Sequence, residues 1–402
     1  MIPDPVVPPP EPAPPPPGRR ARRGWLVLTA FVIAAAAVGG WRYRVTRPDY
    51  VLARGDEAVR AGDWAAASRA IDRLEAAGAG DHAAVLRGEY FLATDRPDLA
   101  LGALSEIKRE SPFHLRSAAK VGRCLLALGN LAEADRVLNH VLDSEPDNID
   151  ALRALAAVAY DLGQMPAAVE HLEAVARLDP ADARPHRLMG LINKDLNRYE
   201  PAEAAYRESM RRGLAEPARG EVVVELADVL VRAGRFADAL ALLDAGPPAP
   251  GPAGELARAE ALRGLARRAD AVAVADRAIV EHPTDGALLR LRGQLHLDDG
   301  NAPAAVVALE AAAARLPADY QTHFLLAQAY TATGRTADAT RSAARAEELR
   351  KALERATTLT REAMDRPWDA AVRLELATVT ETLGEPKLAA LWRAAAAACR
   401  TR

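Results

Sequence analysis

The chain of 402 residues has only two cysteines, Cys124 and Cys399. That excludes a disulfide scaffold and any CxxC metal or redox site. Aromatic residues are scarce, at 4%. A sheet protein would be expected to use more of them, together with β-branched residues. Lysine occurs five times against 47 arginines, and the formal net charge is −3. That charge is unevenly placed: residues 1–47 hold seven Arg against Asp4 and Glu11, so the remainder is −8. A body that acidic lacks the basic footprint of a nucleic-acid binder. No Gly-rich phosphate loop followed by Lys-Ser/Thr, no HExxH and no GxSxG is present. The eight His are scattered, so neither an enzyme nor a resident cofactor or metal is expected. Cys124 stands beside Leu125 and Leu126, as a small buried thiol would.

What the chain does have is alanine, 91 of them, which suits closely packed helices. It also has 28 prolines, ten of them within residues 1–17. That stretch, 1–18, reads as a stiff, solvated, polyproline-like tail. Arg19, Arg20, Arg22 and Arg23 follow, then 17 uncharged residues from Trp25 to Trp41. As a helix this run is about 25 Å long, slightly short of the ~30 Å hydrocarbon layer. Tryptophans at both ends suit the headgroup region, and Arg42 and Arg44 can snorkel. Residues 19–47, with their core at 25–41, are therefore expected to form a single-pass membrane anchor. A cleaved signal peptide is the rival, since Ala35–Ala37 offers small residues. Arginines flank both sides, so counting leaves orientation open. The reading favours the large domain outside the cytoplasm. The Ala- and Arg-rich usage suggests a GC-rich bacterium, hence an inner membrane.

From residue 48 onwards a period of about 34 residues recurs. Pro112, Pro146 and Pro180 are 34 apart, as are Gly129 and Gly163, and Gly300 and Gly334. Units begin at 48, 81, 115, 149, 183, 220, 252, 286, 320 and 370. Their eighth position is always Gly or Ala (Gly55, Gly88, Gly122, Ala156 and so on) and their twentieth is always Ala. Apolar residues fall at helical spacing, as in Leu152, Leu155, Ala156 and Ala159. Position fifteen is Gly in seven units, Asp95 and Asn197 in two more, and Ala266 in the exception. Such residues stop helices in the left-handed region. Small residues at positions 8 and 20 let two antiparallel helices approach closely.

This pattern resembles the tetratricopeptide repeat, carried best by residues 115–148 and 287–319. The resemblance covers 48–402. It implies an all-α, right-handed α-solenoid of about ten helix pairs that holds other proteins and does no chemistry. Residues 245–254, AGPPAPGPAG, read as a linker between one lobe at 48–244 and another at 255–402. Residues 354–369 fit no repeat and are expected to lengthen the preceding helix, from about Ala337 to Met364. The end, RAAAAACRTR, exposes few large apolar residues and suits a terminal cap on a stack.

The resemblance further implies a concave face lined by positions 2, 5, 9, 12 and 13 of each first helix. Those positions give Arg116 and Arg123; then Asp150, Arg153, Tyr160 and Asp161; then Arg184, Arg187, Leu191, Lys194 and Asp195. Later units give Gln294, Leu297, Phe324, Gln328 and Thr331. One reading is a groove for an acidic or C-terminal peptide, with Arg116, Arg123, Arg153, Arg184, Arg187 and Lys194 as cations and Tyr160 as a flat anchor. It is similar to the clamps of co-chaperone members, although their Lys and Asn pattern is missing. The other reading is a solvated wall whose Arg pair with Asp150, Asp161 and Asp195. The expected function is a membrane-anchored scaffold or adaptor for a protein or peptide. The alternative is an accessory subunit of a membrane-associated enzyme, assembly or secretion complex. No nucleic-acid partner is expected.

Overall fold

The computed structural model describes residues 47–247 and 251–401. The Pro-rich tail and the apolar run 25–41 lie outside the described residues. Among those described, no helix is long and apolar enough to cross a membrane, and every regular element is a helix.

Most of the helices come in packed pairs. The first six are α1 Pro48–Arg60 with α2 Trp64–Ala76, then α3 Gly80–Ala93 and α4 Pro97–Ser105, which fall in different units, and α5 His114–Ala127 with α6 Leu131–Ser144. Next are α7 Ile149–Asp161 with α8 Met165–Leu178, α9 Arg184–Asp195 with α10 Tyr199–Arg211, and α11 Ala218–Arg232 with α12 Phe236–Ala245. The last four pairs are α13 Ala253–Gly264 with α14 Arg268–Glu281, α15 Gly286–Asp298 with α16 Ala302–Arg315, α17 Tyr320–Ala332 with α18 Thr336–Asp365, and α19 Ala370–Thr382 with α20 Pro386–Thr401.

Each pair turns at position fifteen. All ten residues there have positive φ, including Asp95 at 57°, Asn197 at 55° and Ala266 at 59°. The backbone demands the left-handed conformation even where the sequence supplies alanine. Close packing explains the small eighth position. A Cβ on Gly122 would stand 2.4 Å from Leu138, and one on Gly293 2.4 Å from Leu309. Asn148, Asp285 and Asp319 accept from backbone N–H groups two or three residues into α7, α15 and α17, and so cap those helices.

Contacts divide the chain into two compact units. One comprises residues up to Arg96 with Glu106–Phe113, and the other Pro97–Ser105 with His114 onwards. In the first, Ser111 donates to Asp81 at 2.6 Å, and Phe113 meets His82 edge-on at 4.5 Å. Both flanks of the Pro/Gly segment 245–254 belong to the second unit, where α12 and α13 pack together.

The second unit closes on itself. Helix α20 packs on α6 and α7. One core cluster joins Leu131, Leu138, Leu155 and Leu162 to Leu359, Leu376, Trp392 and Ala395. Arg373 is fully buried and donates to the Leu162 carbonyl at 2.6 and 3.2 Å. The last helix thus buries one face within the unit and leaves Leu388 and Leu391 exposed on the other. Its alanines expose little because Ala395, Ala396 and Ala398 are buried, and their small side chains let α20 lie close to its neighbours.

Candidate functional site

The first helices carry the residues singled out above. Arg153, Tyr160 and Asp161 stand on α7, and Arg184, Arg187, Leu191, Lys194 and Asp195 on α9. Glu221, Glu225 and Asp228 stand on α11. Arg187 lies against Glu221 and Glu225, and Lys194 against Asp228, on the next first helix. In these two places cations of one repeat meet carboxylates of the next.

These pairs are tight. Arg187 grips Glu225 through Nε at 3.1 Å and Nη2 at 2.6 Å, and reaches Glu221 at 2.8 Å. Hydrogen bonds to Glu225 hold its guanidinium pKa well above the ordinary arginine range, against the opposing effect of burial. Lys194 stands 3.8 Å from Asp228. Arg153 donates to Asp182 at 2.7 Å, with Asp179 at 3.5 Å and Asp150 at 3.9 Å. Arg184 holds Asp182 in a fork at 2.8 and 2.9 Å. Burial pushes the Asp182 carboxyl up, but hydrogen bonds from Arg184 and Arg153 outweigh it and hold it down at about 2. Tyr160 donates to Asp195 at 3.4 Å. Burial, then the Asp195 charge, raises the Tyr160 pKa, and burial raises both Asp161 and Asp195.

The structure thus brings Arg153, Tyr160, Arg184, Arg187 and Lys194 together along α7–α11 but matches their charges internally. Arg187 and Lys194 pair with carboxylates of the following repeat, whereas Arg153 and Arg184 pair with Asp150, Asp179 and Asp182 of the fourth unit. Arg116 and Arg123 are exposed on α5.

Between α7 and α9 the charged wall is interrupted by an apolar pit of about 150 Å³. Ala156, Tyr160, Leu172, Leu188, Leu191 and Ile192 line it, with Arg153 and Asp161 beside them. Ala156 and Ala157 on α7 are too small to fill the space against α9. Leu188 is 47% exposed, although its side chain is wholly apolar. A cavity of this size and lining takes a benzene-sized group. Leu188 escaped the positional reading because position six carries no expected contact.

A second hollow, of about 510 Å³, is lined by Arg232, Glu260, Arg263, Arg290, Tyr320 and Phe324 among others. The Nε atoms of Arg263 and Arg290 are buried without a hydrogen-bond partner. The nearest carboxylates to Arg290 are Glu260 and Asp319, each at 3.8 Å. Burial raises the Glu260 pKa despite these cations. Arg290 holds position five of its unit, so the sequence did offer that signal.

Among the described residues, no group of three or more His, Cys, Asp or Glu is placed to hold a metal ion. Three family models match the chain, all describing tetratricopeptide repeats. They cover residues 125–192, residues 193–285, and residues 52–114 with 291–347. This chain belongs to the tetratricopeptide-repeat family. Such repeats typically mediate protein–protein contact, and none of the matching models is catalytic.

Solved structures similar to this tetratricopeptide-repeat chain include a tetratricopeptide repeat protein from Parabacteroides merdae. It is 16% identical with a TM-score of 0.45, covering 62% of this chain and 98% of that one. PilF of Pseudomonas aeruginosa is 21% identical with a TM-score of 0.43, covering 53% and 97%. A human IFIT1 dimer solved with PPP-AAAA is 15% identical with a TM-score of 0.40, covering 85% and 88%. The comparison with curated proteins returned no match.

Proposed function

We propose that this protein is a non-enzymatic scaffold that holds a partner protein through an extended segment laid along α7, α9 and α11. One apolar side chain of that segment enters the pit beside Leu188. The observation that carries this reading is the pit itself: an exposed leucine beside a benzene-sized apolar hollow, set in a wall of matched charges. Interface energy concentrates where such anchors are desolvated inside a polar rim.

The acidic-peptide reading draws less support. Arg153, Arg184, Arg187 and Lys194 already face carboxylates, so an incoming acid would have to displace a charge-assisted bond. The sequence places an apolar run at 25–41 next to the repeats, and we propose that it tethers the scaffold to a membrane. Its resistance to alkaline extraction tests this, and complete release as a soluble full-length chain would refute it.

The binding claim is tested by photo-crosslinking in the cells that make the protein. A photoreactive amino acid replaces Leu188 in one variant and the exposed Arg177 in another. The expected result is a discrete adduct from position 188 alone. Identical adducts from both positions, or none from 188, would defeat the proposal.

A further inference from the structure

The ninth repeat lacks the neighbour that every earlier interface supplies. In nine units the small residue at position eight is buried, from Gly55 to Ala377, but Ala327 is only partly covered. Position twenty behaves alike: Ala67, Ala100, Ala134, Ala168, Ala202, Ala239, Ala271, Ala305 and Ala389 are each 0% exposed, while Ala339 is partly exposed. The cause is the length of α18, 30 residues against 13 to 16 for most others. It carries the next helix pair away. Helix α19 packs on the far half of α18, where Leu359 and Ala363 are buried with Val372 and Leu376 and Arg355 forks Glu375 at 2.6 and 2.7 Å.

The near half of α18 and the adjoining face of α17 are left as a trough of about 820 Å³. Tyr320, Phe324, Ala327, Ala339 and Ala343 line it, with Glu347 and Arg350 paired at its rim. Phe324 is 45% exposed. This surface continues the stacking interface of the preceding repeats. One repeat earlier, the corresponding face of α16 is covered by α17, whose Leu326, Ala329 and Tyr330 pack with Val306 and Leu309. Thr322, four residues before Leu326, is also fully buried. The chain's own next first helix cannot serve. Helix α19 is committed elsewhere through Arg373 and Leu162.

We propose that the trough receives an amphipathic α-helix of a partner protein, one that presents small and apolar residues at i, i+4, i+7 and i+8 as α17 does to α16. Close approach to Ala339 and Ala343 requires a backbone-near contact, which favours Ala or Gly at the centre of that helix. Polar residues at its edges meet Gln328, Glu347 and Arg350. This surface is distinct from the pit beside Leu188 and its use does not depend on it.

The test uses the full-length chain and a fluorescein-labelled, side-chain-bridged helical peptide of residues 320–333, the segment that covers the equivalent face one repeat earlier. Anisotropy titration is expected to give saturable binding that weakens at least tenfold in Ala343→Arg and in Thr340→Arg. Both positions are exposed, and an unchanged melting curve verifies their fold. A scrambled peptide is expected not to bind. Absence of saturable binding, or equal binding by both variants, overturns the proposal. So does wild-type self-association in sedimentation that Ala343→Arg abolishes, because the occupant is then a second copy.

Discussion

The guanidinium of Arg373 and the carbonyl of Leu162, 211 residues apart in sequence, are joined by two hydrogen bonds of 2.6 and 3.2 Å. The guanidinium also donates to the carbonyls of Arg366 and Asp369, at 3.3 and 3.2 Å. Leu162 precedes the turn glycine Gly163, against which the Trp392 ring lies so closely that a Cβ would come within 2.6 Å of it. The tenth helix pair is thereby fastened to the turn of the fourth.

Removing that fastening has a local signature. Arg373→Ala opens a cavity and leaves carbonyls unsatisfied, a cost of about 2–4 kcal/mol. Denaturant unfolding reads the total. Hydrogen exchange is expected to accelerate first in α19 and α20, ahead of α9–α16. Acceleration spread evenly over all helices would contradict the latch.

Ala266 occupies a turn whose φ of 59° suits glycine. A side chain there costs roughly 1–2 kcal/mol. Ala266→Gly is therefore expected to stabilise the chain by about 1 kcal/mol, net of the entropy that glycine adds to the unfolded state. Gly234→Ala, at φ 74°, moves stability the other way. Equal and opposite melting shifts are not required; the signs are.

Tyr206 is fully buried and its hydroxyl has no hydrogen-bond partner. The burial pushes its pKa up. Tyr206→Phe removes a stranded polar group and keeps the ring that fills the space beside Gly190. Stability is expected to stay level or rise by up to about 1 kcal/mol. A loss above 1 kcal/mol would show that the hydroxyl is satisfied after all.

Asp182 gives a pH dependence. Burial pushes its carboxyl up, but the hydrogen bonds from Arg184 and Arg153 prevail and hold it at about 2 in the folded chain. Its unfolded value is near 4, so the unfolded state binds the proton first as pH falls. The stability that Asp182 contributes is present above pH 4 and is lost as pH falls through 4 towards 2. Asp182→Asn is expected to cost about 2 kcal/mol at pH 7 and to flatten the stability curve across that window. A difference that persists unchanged at pH 2 would refute the assignment.

The helix pairs were legible in the chain because three positions per repeat report backbone geometry directly: 8, 15 and 20. The run of α18 to Asp365 was legible too, since residues 354–369 break the period without breaking helical spacing. The latch was not. Arg373 and Trp392 look like ordinary residues of a terminal repeat, and nothing local marks a contact made 211 residues away. The charges matched to Arg187 and Lys194 lay one repeat further on. Reading Arg187 beside residue 221, rather than beside its own neighbours, would have found them. The pit was hidden because it arises from Ala156 and Ala157 failing to reach α9, which no single residue announces.

The most direct test is the affinity of the crosslinked partner, once identified, for the full-length wild type and for Leu188→Arg, with Arg184→Glu as a control on the same wall. The account predicts at least a tenfold loss for Leu188→Arg and little change for Arg184→Glu, whose side chain is largely exposed. Equal affinity for wild type and Leu188→Arg, or a loss confined to Arg184→Glu, would contradict it.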